Sequence, residues 1–225
     1  MDVIKVPVVE EILSANDQLA VANRELLDAN KVFGVNIMSS PGSGKTSTIV
    51  ATQERLKDSL RLGMVDGDIA TTIDADRAAE AGMQAVQINT GGNCHLDAVM
   101  VSQGIRSLKL EDLDLMIIEN VGNLICPSSF KLGTHISVLI ASVPEGADKP
   151  YKYPPMYRGV DAVIINKIDV LPYFDFDMDY FVKGVEMLNP GVKSFPISNK
   201  TGEGLDAWAD WLYEQVAAYQ QSAAE

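Results

Sequence analysis

Residues 32–47, with the sequence VFGVNIMSSPGSGKTS, join an apolar run to a glycine-rich loop, and this junction decides the fold. The run VFGVNIM is apolar enough to predict a β-strand that is buried on both faces. The loop after it matches the phosphate-binding pattern G-x-x-x-x-G-K-S/T at its last three positions, and Ser39 replaces the first glycine. A strand, this loop and a following helix predict a P-loop NTPase.

Each residue type in this loop suits a phosphate ligand. The two glycines would let successive backbone amides turn toward the phosphates, and the next helix would direct its positive end at them. Lys45 would span the β- and γ-phosphates, and Thr46 would ligate Mg²⁺. The residues predicted to hold the phosphates are Gly42, Ser43, Gly44, Lys45, Thr46 and Ser47.

Apolar runs and amphipathic stretches alternate along the rest of the chain. Strands are predicted at 32–38, 61–68, 85–89, 114–122, 135–143, 161–169 and 193–198, and helices at 8–30, 45–60, 73–82, 95–107, 177–188 and 204–220. This alternation predicts an α/β fold with a mostly parallel sheet of about seven strands and helices on both faces. The sequence has no repeat or linker. It therefore predicts one P-loop domain, 1–225, with an N-terminal helical segment (1–31), the domain proper (32–220) and a tail (221–225).

Composition restricts the partners and the compartment. A formal net charge of −13 argues against binding to nucleic acid or to an anionic membrane surface. No apolar run approaches the ~18 residues that a membrane helix needs, and the first residues do not resemble a signal peptide. Two cysteines cannot form a disulfide framework. We therefore expect a reduced, cytoplasmic protein.

The tetrapeptide NKID, which follows the sixth predicted strand, indicates a guanine base. Asp169 can accept hydrogen bonds from the ring N–H and the exocyclic amine of guanine, whereas adenine would leave this carboxylate unpaired. Asn166 would approach the other edge of the base, and the stem of Lys167 would cover its face. The later segment SNKTGEG resembles a final base-contacting loop, with Ser198 and Lys200 nearest the guanine.

Acidic residues follow two other predicted strands. Glu119 begins ENVG and would hold Mg²⁺, while the amide of Gly122 would sense the γ-phosphate. The segment DGDIATTIDADR contains four aspartates, of which Asp68 and Asp74 are the candidates for Mg²⁺ contact or for positioning water. The predicted catalytic set is Lys45, Thr46, Asp68, Asp74 and Glu119, and all of these except Lys45 are predicted Mg²⁺ ligands.

Three soft donors stand out in a chain with two cysteines and two histidines. Cys94 and His95 are adjacent in NCHLDA, where we expect them to open a helix whose N-terminus favours thiolate. Cys126, in NLICP, lies just beyond the end of a neighbouring strand. Two thiolates and an imidazole suit Zn²⁺ or Ni²⁺. The alternative is two inert cysteines and an unrelated histidine.

The order of these motifs resembles the SIMIBI-class GTPases of metallocentre assembly, in particular the HypB-type hydrogenase nickel-incorporation GTPases. The segments that carry the resemblance are, in chain order, SSPGSGKT, DGDIATTIDADR, INTGGNCHLDA, IIENVGNLICP, EGADKPYKYPPMY, INKID and SNKTGEGLDAW. These segments run from residue 39 to residue 208. The resemblance implies that Cys94, His95 and Cys126 ligate the metal where two subunits meet. It also implies a homodimer promoted by GTP, an accessory protein that supplies nickel, and the hydrogenase large-subunit precursor as a partner.

The expected function is Mg²⁺-dependent hydrolysis of GTP to GDP and phosphate, coupled to nickel delivery for NiFe hydrogenase, with Ni²⁺ or Zn²⁺ at the cysteine site. Intrinsic turnover should be slow, because Arg77 and Arg106 are weak candidates for an arginine finger. A urease-type GTPase would need Cys-Pro-His, and Ser128 occupies the histidine position. The remaining alternatives are a GTPase for a cobalamin enzyme, which would not need Cys94 and His95, and a GTP-gated scaffold with a structural zinc.

Overall fold

The central strand of the sheet leads directly into the phosphate loop. The computed structural model describes residues 8–69 and 71–223. The strands are β1 (Phe33–Ser39), β2 (Leu62–Asp68), β3 (Gln84–Asn89), β4 (Leu115–Glu119), β5 (Ile136–Ser142), β6 (Ala162–Asn166) and β7 (Lys193–Pro196). The helices are α1 (Val8–Ala29), α2 (Lys45–Leu56), α3 (Ile73–Glu80), α4 (Ala98–Arg106), α5 (Lys149–Lys152), α6 (Pro154–Arg158), α7 (Met178–Leu188) and α8 (Leu205–Ser222). Short 3-10 turns cover Leu110–Asp112, Cys126–Ser129, Val143–Glu145 and Ile168–Tyr173.

The seven strands form one sheet in the order β3-β2-β4-β1-β5-β6-β7, and every neighbouring pair is parallel. Helices cover both faces, so the residues of β1, β4 and β6 are all buried. The predicted fold class is thus confirmed. In a parallel sheet all strand ends of one kind meet at one edge, so the loops after β1, β2, β4 and β6 converge there.

Several helix boundaries differ from the sequence-based expectation. The helix predicted at 95–107 begins only at Ala98, because the side chain of Asp97 caps it by accepting a hydrogen bond from the amide of Met100. The helix predicted at 45–60 ends at Leu56, and α8 continues to Ser222. The short α5 and α6 were not predicted, since three prolines interrupt the apolar periodicity in this segment.

Buried asparagines fasten α1 to the sheet edge that carries the loops. Asn23 donates from Nδ2 to the carbonyl oxygens of Ala98 and Leu132 at 2.9 and 3.1 Å. Asn16 accepts from the amide of Ala98 and donates to the carbonyl of Lys131, both at 2.9 Å. The N-terminal helix therefore holds both the start of α4 and the chain that follows Cys126.

His135 supports the opposite end of β1. Its Nδ1 accepts from the amide of Gly34 at 2.8 Å, which leaves the proton on Nε2 to be donated to Asp28 at 2.9 Å. Burial lowers the pKa of His135, so the neutral ring is the stable form. Tyr219 of α8 also donates to Asp28. Across the described residues, no helix has both the length and the apolar character needed to span a membrane.

Candidate functional site

The phosphate loop has the backbone conformation that its glycines predict. Gly42 and Gly44 have φ angles of +75° and +101°, and α2 starts immediately afterwards at Lys45. A Cβ on Gly44 would lie 2.4 Å from Nδ2 of Asn166, so a larger residue would collide there as well as strain the backbone. The loop therefore presents amides and a helix N-terminus to an incoming anion.

Lys45 points toward the end of β1, and Thr46 points toward the end of β4. Nζ of Lys45 donates to Oγ of Ser39 at 3.1 Å, so the serine that departs from the usual pattern holds this ammonium group. Oγ1 of Thr46 donates to Oε1 of Glu119 at 2.9 Å. The structure thus brings together three residues predicted to act in catalysis, Lys45, Thr46 and Glu119.

Glu119 has an acidic neighbour that the sequence-based selection passed over. Asp66 on β2 is in register with Glu119 on β4, and the two residues are only 2% and 3% exposed. Burial is the main cause that raises the pKa of Glu119 to about 8 and the pKa of Asp66 to about 7. Oε2 of Glu119 and Oδ2 of Asp66 have no hydrogen-bond partner among the described residues. Such oxygens, beside a threonine hydroxyl, fit a hard divalent cation such as Mg²⁺.

The two aspartates in the predicted Mg²⁺ set, Asp68 and Asp74, are more exposed than Asp66. Asp68 accepts hydrogen bonds from the amide of Ile69 at 2.5 Å and from the amide and hydroxyl of Thr71 at 3.0 and 2.6 Å. Asp74, in the first turn of α3, lies 3.6 Å from Arg77. The negative charges of Asp74 and Asp68 contribute to the raised pKa of Asp66. Both charges therefore lie near Asp66.

Gly122 lies directly against the phosphate loop. A Cβ at this position would be 2.9 Å from the Cα of Pro41, closer than real Cβ contacts allow. The neighbouring amide of Asn123 donates to the carbonyl of Ser39 at 2.8 Å. This contact holds the segment after β4 against the phosphate loop.

A cavity of about 380 Å³ adjoins the loop on the other side. Its lining includes Gly44, Asn166, Lys167, Asp169, Asn199 and Lys200. Lys167 adopts a left-handed φ of 65° and donates from Nζ to the carbonyl of Gly42 at 2.6 Å. The cavity thus joins the NKID segment to the phosphate loop, as a nucleotide site requires.

Two residues predicted to contact guanine make hydrogen bonds to other residues of the site. Ser198 is fully buried and donates to Oδ1 of Asp169 at 2.7 Å, so it orients this carboxylate. Asn166 donates to the carbonyl of Ser43 at 2.8 Å and accepts from the amide of Lys167 at 2.7 Å, so its amide group braces the phosphate loop. Asp169 and Lys200 remain the predicted base-facing side chains.

The three soft donors come together at the same sheet edge. The ligand atoms of Cys94, His95 and Cys126 all lie within 4.8 Å of one another, and Sγ of Cys94 is 3.7 Å from Nδ1 of His95. A tetrahedral zinc with Zn–S of about 2.3 Å and Zn–N of about 2.1 Å would place its donors roughly 3.5–3.8 Å apart. The cluster therefore needs to contract by only about 1 Å. Cys94 is exposed and the other two are partly exposed, so one side is open to a further ligand.

The expectation that Cys94 and His95 open a helix is wrong. Both lie in the turn before α4, since Asp97 caps that helix. The ring of His95 stacks instead on Phe130, with centroids 4.0 Å apart. Burial lowers the pKa of His95, which favours the neutral ring that binds metals. The pKa of Cys126 is raised, first by its hydrogen bond with the Cys94 thiol and then by burial.

Sequence reasoning missed four residues that shape this site. Asp66 had a visible signal, because it is an acidic residue inside a predicted buried strand. Asn199 donates to the hydroxyl of Thr48 at 2.9 Å and so ties the last loop to α2. Phe130 had no local signal, because its partner His95 lies 35 residues away, and the link from Asn123 to Cys94 spans 29 residues.

Comparisons with known proteins agree with this geometry. Residues 34–196 match the family described as CobW/HypB/UreG, nucleotide-binding domain. The chain is 45% identical over 212 residues to the hydrogenase maturation factor HypB of Rhizobium leguminosarum bv. viciae, covering 94% of this chain and 71% of that relative. It is 41% identical over 221 residues to the hydrogenase/urease maturation factor HypB of Helicobacter pylori, covering 96% and 90%.

The fold comparison points to the same relatives. The crystal structure of HypB from Helicobacter pylori in complex with nickel matches with a TM-score of 0.87 at 39% identity, over 91% of this chain and 96% of that one. HypB from Archaeoglobus fulgidus matches with a TM-score of 0.85 at 38% identity, over 91% and 100%.

Proposed function

This chain belongs to the CobW/HypB/UreG family, and from that premise we propose that it is a GTP-hydrolysing nickel-delivery factor in hydrogenase maturation. The observation that carries the proposal is the convergence of Cys94, His95 and Cys126 beside a phosphate loop. The relatives named above are hydrogenase maturation factors, and one of them was crystallised with nickel. We further propose that residues 1–225 work as one GTPase domain.

The reaction that we propose is in-line attack of water on the γ-phosphate of GTP, with catalysis supplied mainly by positioning and electrostatics. Lys45 would leave Ser39 and bridge the β- and γ-phosphates. Asp68 or Asp74 would orient the attacking water. The guanidinium of Arg77, a weak candidate for an arginine finger, lies 3.6 Å from Asp74 and 3.2 Å from the hydroxyl of Ser47. Because these contacts hold Arg77, we do not expect it to reach the γ-phosphate as an arginine finger, and we therefore expect slow intrinsic hydrolysis of GTP.

Mg²⁺ would neutralise charge on the phosphates, as it does in P-loop enzymes generally. The residues that we propose to hold it are Thr46, Asp68, Asp74 and Glu119. The support for this assignment is the Thr46–Glu119 contact and the unpartnered, buried oxygen of Glu119. The pKa of Glu119 is about 8, so the carboxyl group must lose a proton when the cation binds.

Guanine specificity is assigned to Asp169. Its carboxylate is held by Ser198 and faces the cavity beside Lys200. The ring N–H and the amine of guanine supply two donors to this acceptor, and adenine supplies neither. Lys167, whose ammonium group is fixed on Gly42, would lay its stem over the base.

We propose that the protein delivers the metal ion to another protein, and that the ion does not serve to stabilise the fold. Structural zinc sites are closed, with four protein ligands, whereas this cluster has three donors and an exposed face. Ile125, next to Cys126, is 66% exposed, as expected where another protein surface approaches. The proposed partners are a second copy of the chain bound in the GTP state, a nickel-supplying accessory protein and the hydrogenase large-subunit precursor.

Nickel affinity would depend on the nucleotide, because Glu119 contacts the phosphate loop and begins the segment that ends in Cys126. In this proposal the GTP state holds nickel tightly. Hydrolysis displaces the segment after β4 and weakens the metal site.

The test measures hydrolysis and metal binding on the same preparation. GTP and ATP hydrolysis are compared with Mg²⁺ present, and nickel binding is titrated with a non-hydrolysable GTP analogue and with GDP. A Cys94→Ala/Cys126→Ala variant is the control. We expect hydrolysis of GTP but not ATP, tighter nickel binding with the analogue, and a double variant that still hydrolyses GTP but has lost this nickel site.

Two results would contradict the proposal. Equal hydrolysis of ATP would remove the guanine assignment, and full nickel binding by the double variant would remove the metal assignment. The scaffold alternative makes the opposite prediction for metal removal. A structural zinc would survive a chelator in the GDP state, and Cys94→Ala would unfold the protein.

A further inference from the structure

One side chain connects the two cysteine-bearing turns. Nδ2 of Asn123 donates to the carbonyl of Cys94 at 3.2 Å. Its Oδ1 accepts from the amide of Ile125 at 2.8 Å and from the amide of Cys126 at 3.4 Å. Both ends of the carboxamide are therefore used, one on each turn.

The backbone of the same residue is fixed to the phosphate loop. The amide of Asn123 donates to the carbonyl of Ser39 at 2.8 Å. Gly122, immediately before it, packs against Pro41 closely enough to exclude a Cβ. A ligand that moves Gly122 or this part of the loop must move Asn123 too, because the two residues are adjacent in the chain.

We propose that Asn123 is the positioning residue through which the bound guanine nucleotide sets the affinity of the Cys94–His95–Cys126 cluster for nickel. This inference rests on the proposed function and goes further by naming the atoms of the link. When the γ-phosphate is present, the backbone of Asn123 is held on the loop, and its carboxamide keeps the two turns at the spacing that the metal needs. When the γ-phosphate leaves, the backbone shifts and the spacing is lost.

The chemistry at this position requires a carboxamide of this length. Aspartate would keep the acceptor for Ile125 and Cys126 but would place an oxygen against the carbonyl of Cys94, where a donor is needed. Alanine would remove both links. Neither substitution replaces a thiol or the imidazole, so the three donor residues stay in place, although both substitutions alter the hydrogen bond between the side chain of Asn123 and the Cys126 thiol.

The experiment measures nickel affinity by competition with a chromophoric chelator, once with a non-hydrolysable GTP analogue and once with GDP. It compares the wild type with Asn123→Ala, Asn123→Asp and Thr90→Ala. Thr90 is the matched control, because its hydroxyl braces the Cys94 turn through the carbonyl of Asn93 at 2.9 Å but does not reach Cys126. The quantity that decides is the ratio of the two affinities, which a general loosening of the turn would not change.

We expect the wild type to bind nickel more tightly with the GTP analogue than with GDP, by about tenfold or more, which corresponds to about 1.4 kcal/mol or more. Both Asn123 variants should bring the ratio to within about twofold while GTP hydrolysis continues. Thr90→Ala should weaken nickel binding in both states and keep the wild-type ratio.

The inference is overturned if a folded Asn123 variant keeps the wild-type ratio. If Asn123→Ala does not fold, the isosteric Asn123→Asp decides alone. A wild type that hydrolyses GTP and binds nickel with equal affinities in both states also overturns it. Failure of the proposed function is a separate result, since it requires a wild type that does not hydrolyse GTP or does not bind nickel.

Discussion

Asp66 and Glu119 lie in register on neighbouring parallel strands, and each buries a carboxyl oxygen that has no hydrogen-bond partner in the part of the chain that the structure describes. Burial raises the pKa of both groups, to about 7 and about 8. Near neutral pH, the nucleotide-free site therefore holds protons where a cation would otherwise balance the charge. A cation that binds at this pair would therefore release protons.

The first prediction concerns stability in the absence of nucleotide. The pKa of Glu119 is about 8 in the folded protein, against an ordinary value of 4.5. At pH values between these two pKa values, the unfolded chain binds fewer protons at Glu119 than the folded protein does, so the free energy of unfolding falls as pH rises. Glu119→Gln should therefore be more stable than the wild type at pH 8, by about 1–2 kcal/mol, and the difference should vanish below about pH 4.5. Thermal unfolding at several pH values measures it.

The matched control is Glu214→Gln, an exposed position on α8. This variant should follow the wild type at every pH. The prediction fails if the stability difference between Glu119→Gln and the wild type is the same at pH 8 as at pH 4. Ionising the buried carboxyl group would then not destabilise the folded protein. The same variant should lose Mg²⁺-dependent GTP hydrolysis.

Base recognition is tested by changing the acceptor at Asp169. Asp169→Asn replaces one carboxylate oxygen with an amide donor, which suits xanthine because this base has a carbonyl in place of the amine of guanine. We expect the variant to lose GTP affinity by about 100-fold or more and to gain affinity for XTP. Binding of fluorescent nucleotides measures both changes. Unchanged preference for GTP would show that Asp169 does not read the base.

The phosphate loop makes a steric prediction at Gly44. An alanine Cβ would meet Nδ2 of Asn166 at 2.4 Å, and its φ of +101° is strained for any residue with a side chain. Gly44→Ala should lose GTP binding and lower stability by about 1–3 kcal/mol. Gly159→Ala is the control, because a Cβ there meets nothing within 4 Å among the described residues. Calorimetry with and without GTP compares them, and wild-type nucleotide affinity in Gly44→Ala would contradict the collision.

The stacked ring of Phe130 should matter to the metal site. Its contact with His95 holds the imidazole toward the two cysteines, and such ring pairs contribute about 0.5–1.5 kcal/mol. Phe130→Ala should weaken nickel binding by roughly 3–10-fold in both nucleotide states. The control is Phe174→Ala, an exposed aromatic residue. Chelator competition measures the affinities, and an unchanged value for Phe130→Ala would mean that the imidazole needs no support.

Features that depend on short stretches of chain were predictable. The apolar runs identified the seven strands, and the glycine pattern identified the phosphate loop, because both signals arise from neighbouring residues. The proximity of Cys94, His95 and Cys126 also followed from topology, since these residues come after strands whose ends meet at one edge of the sheet. The start of α4 was missed because Asp97 is a stronger cap than anything at Cys94.

By itself, the sequence determined a parallel α/β sheet, a phosphate loop, and which residues follow the strand ends. Only the tertiary structure decided which of those residues contact one another and which support a neighbouring side chain. It made Ser198 a support for Asp169, placed Asp66 beside Glu119, and put Asn123 between the two cysteine-bearing turns. The physical reason is that burial and hydrogen-bond partners are properties of packed neighbours, and packing joins residues that are far apart along the chain.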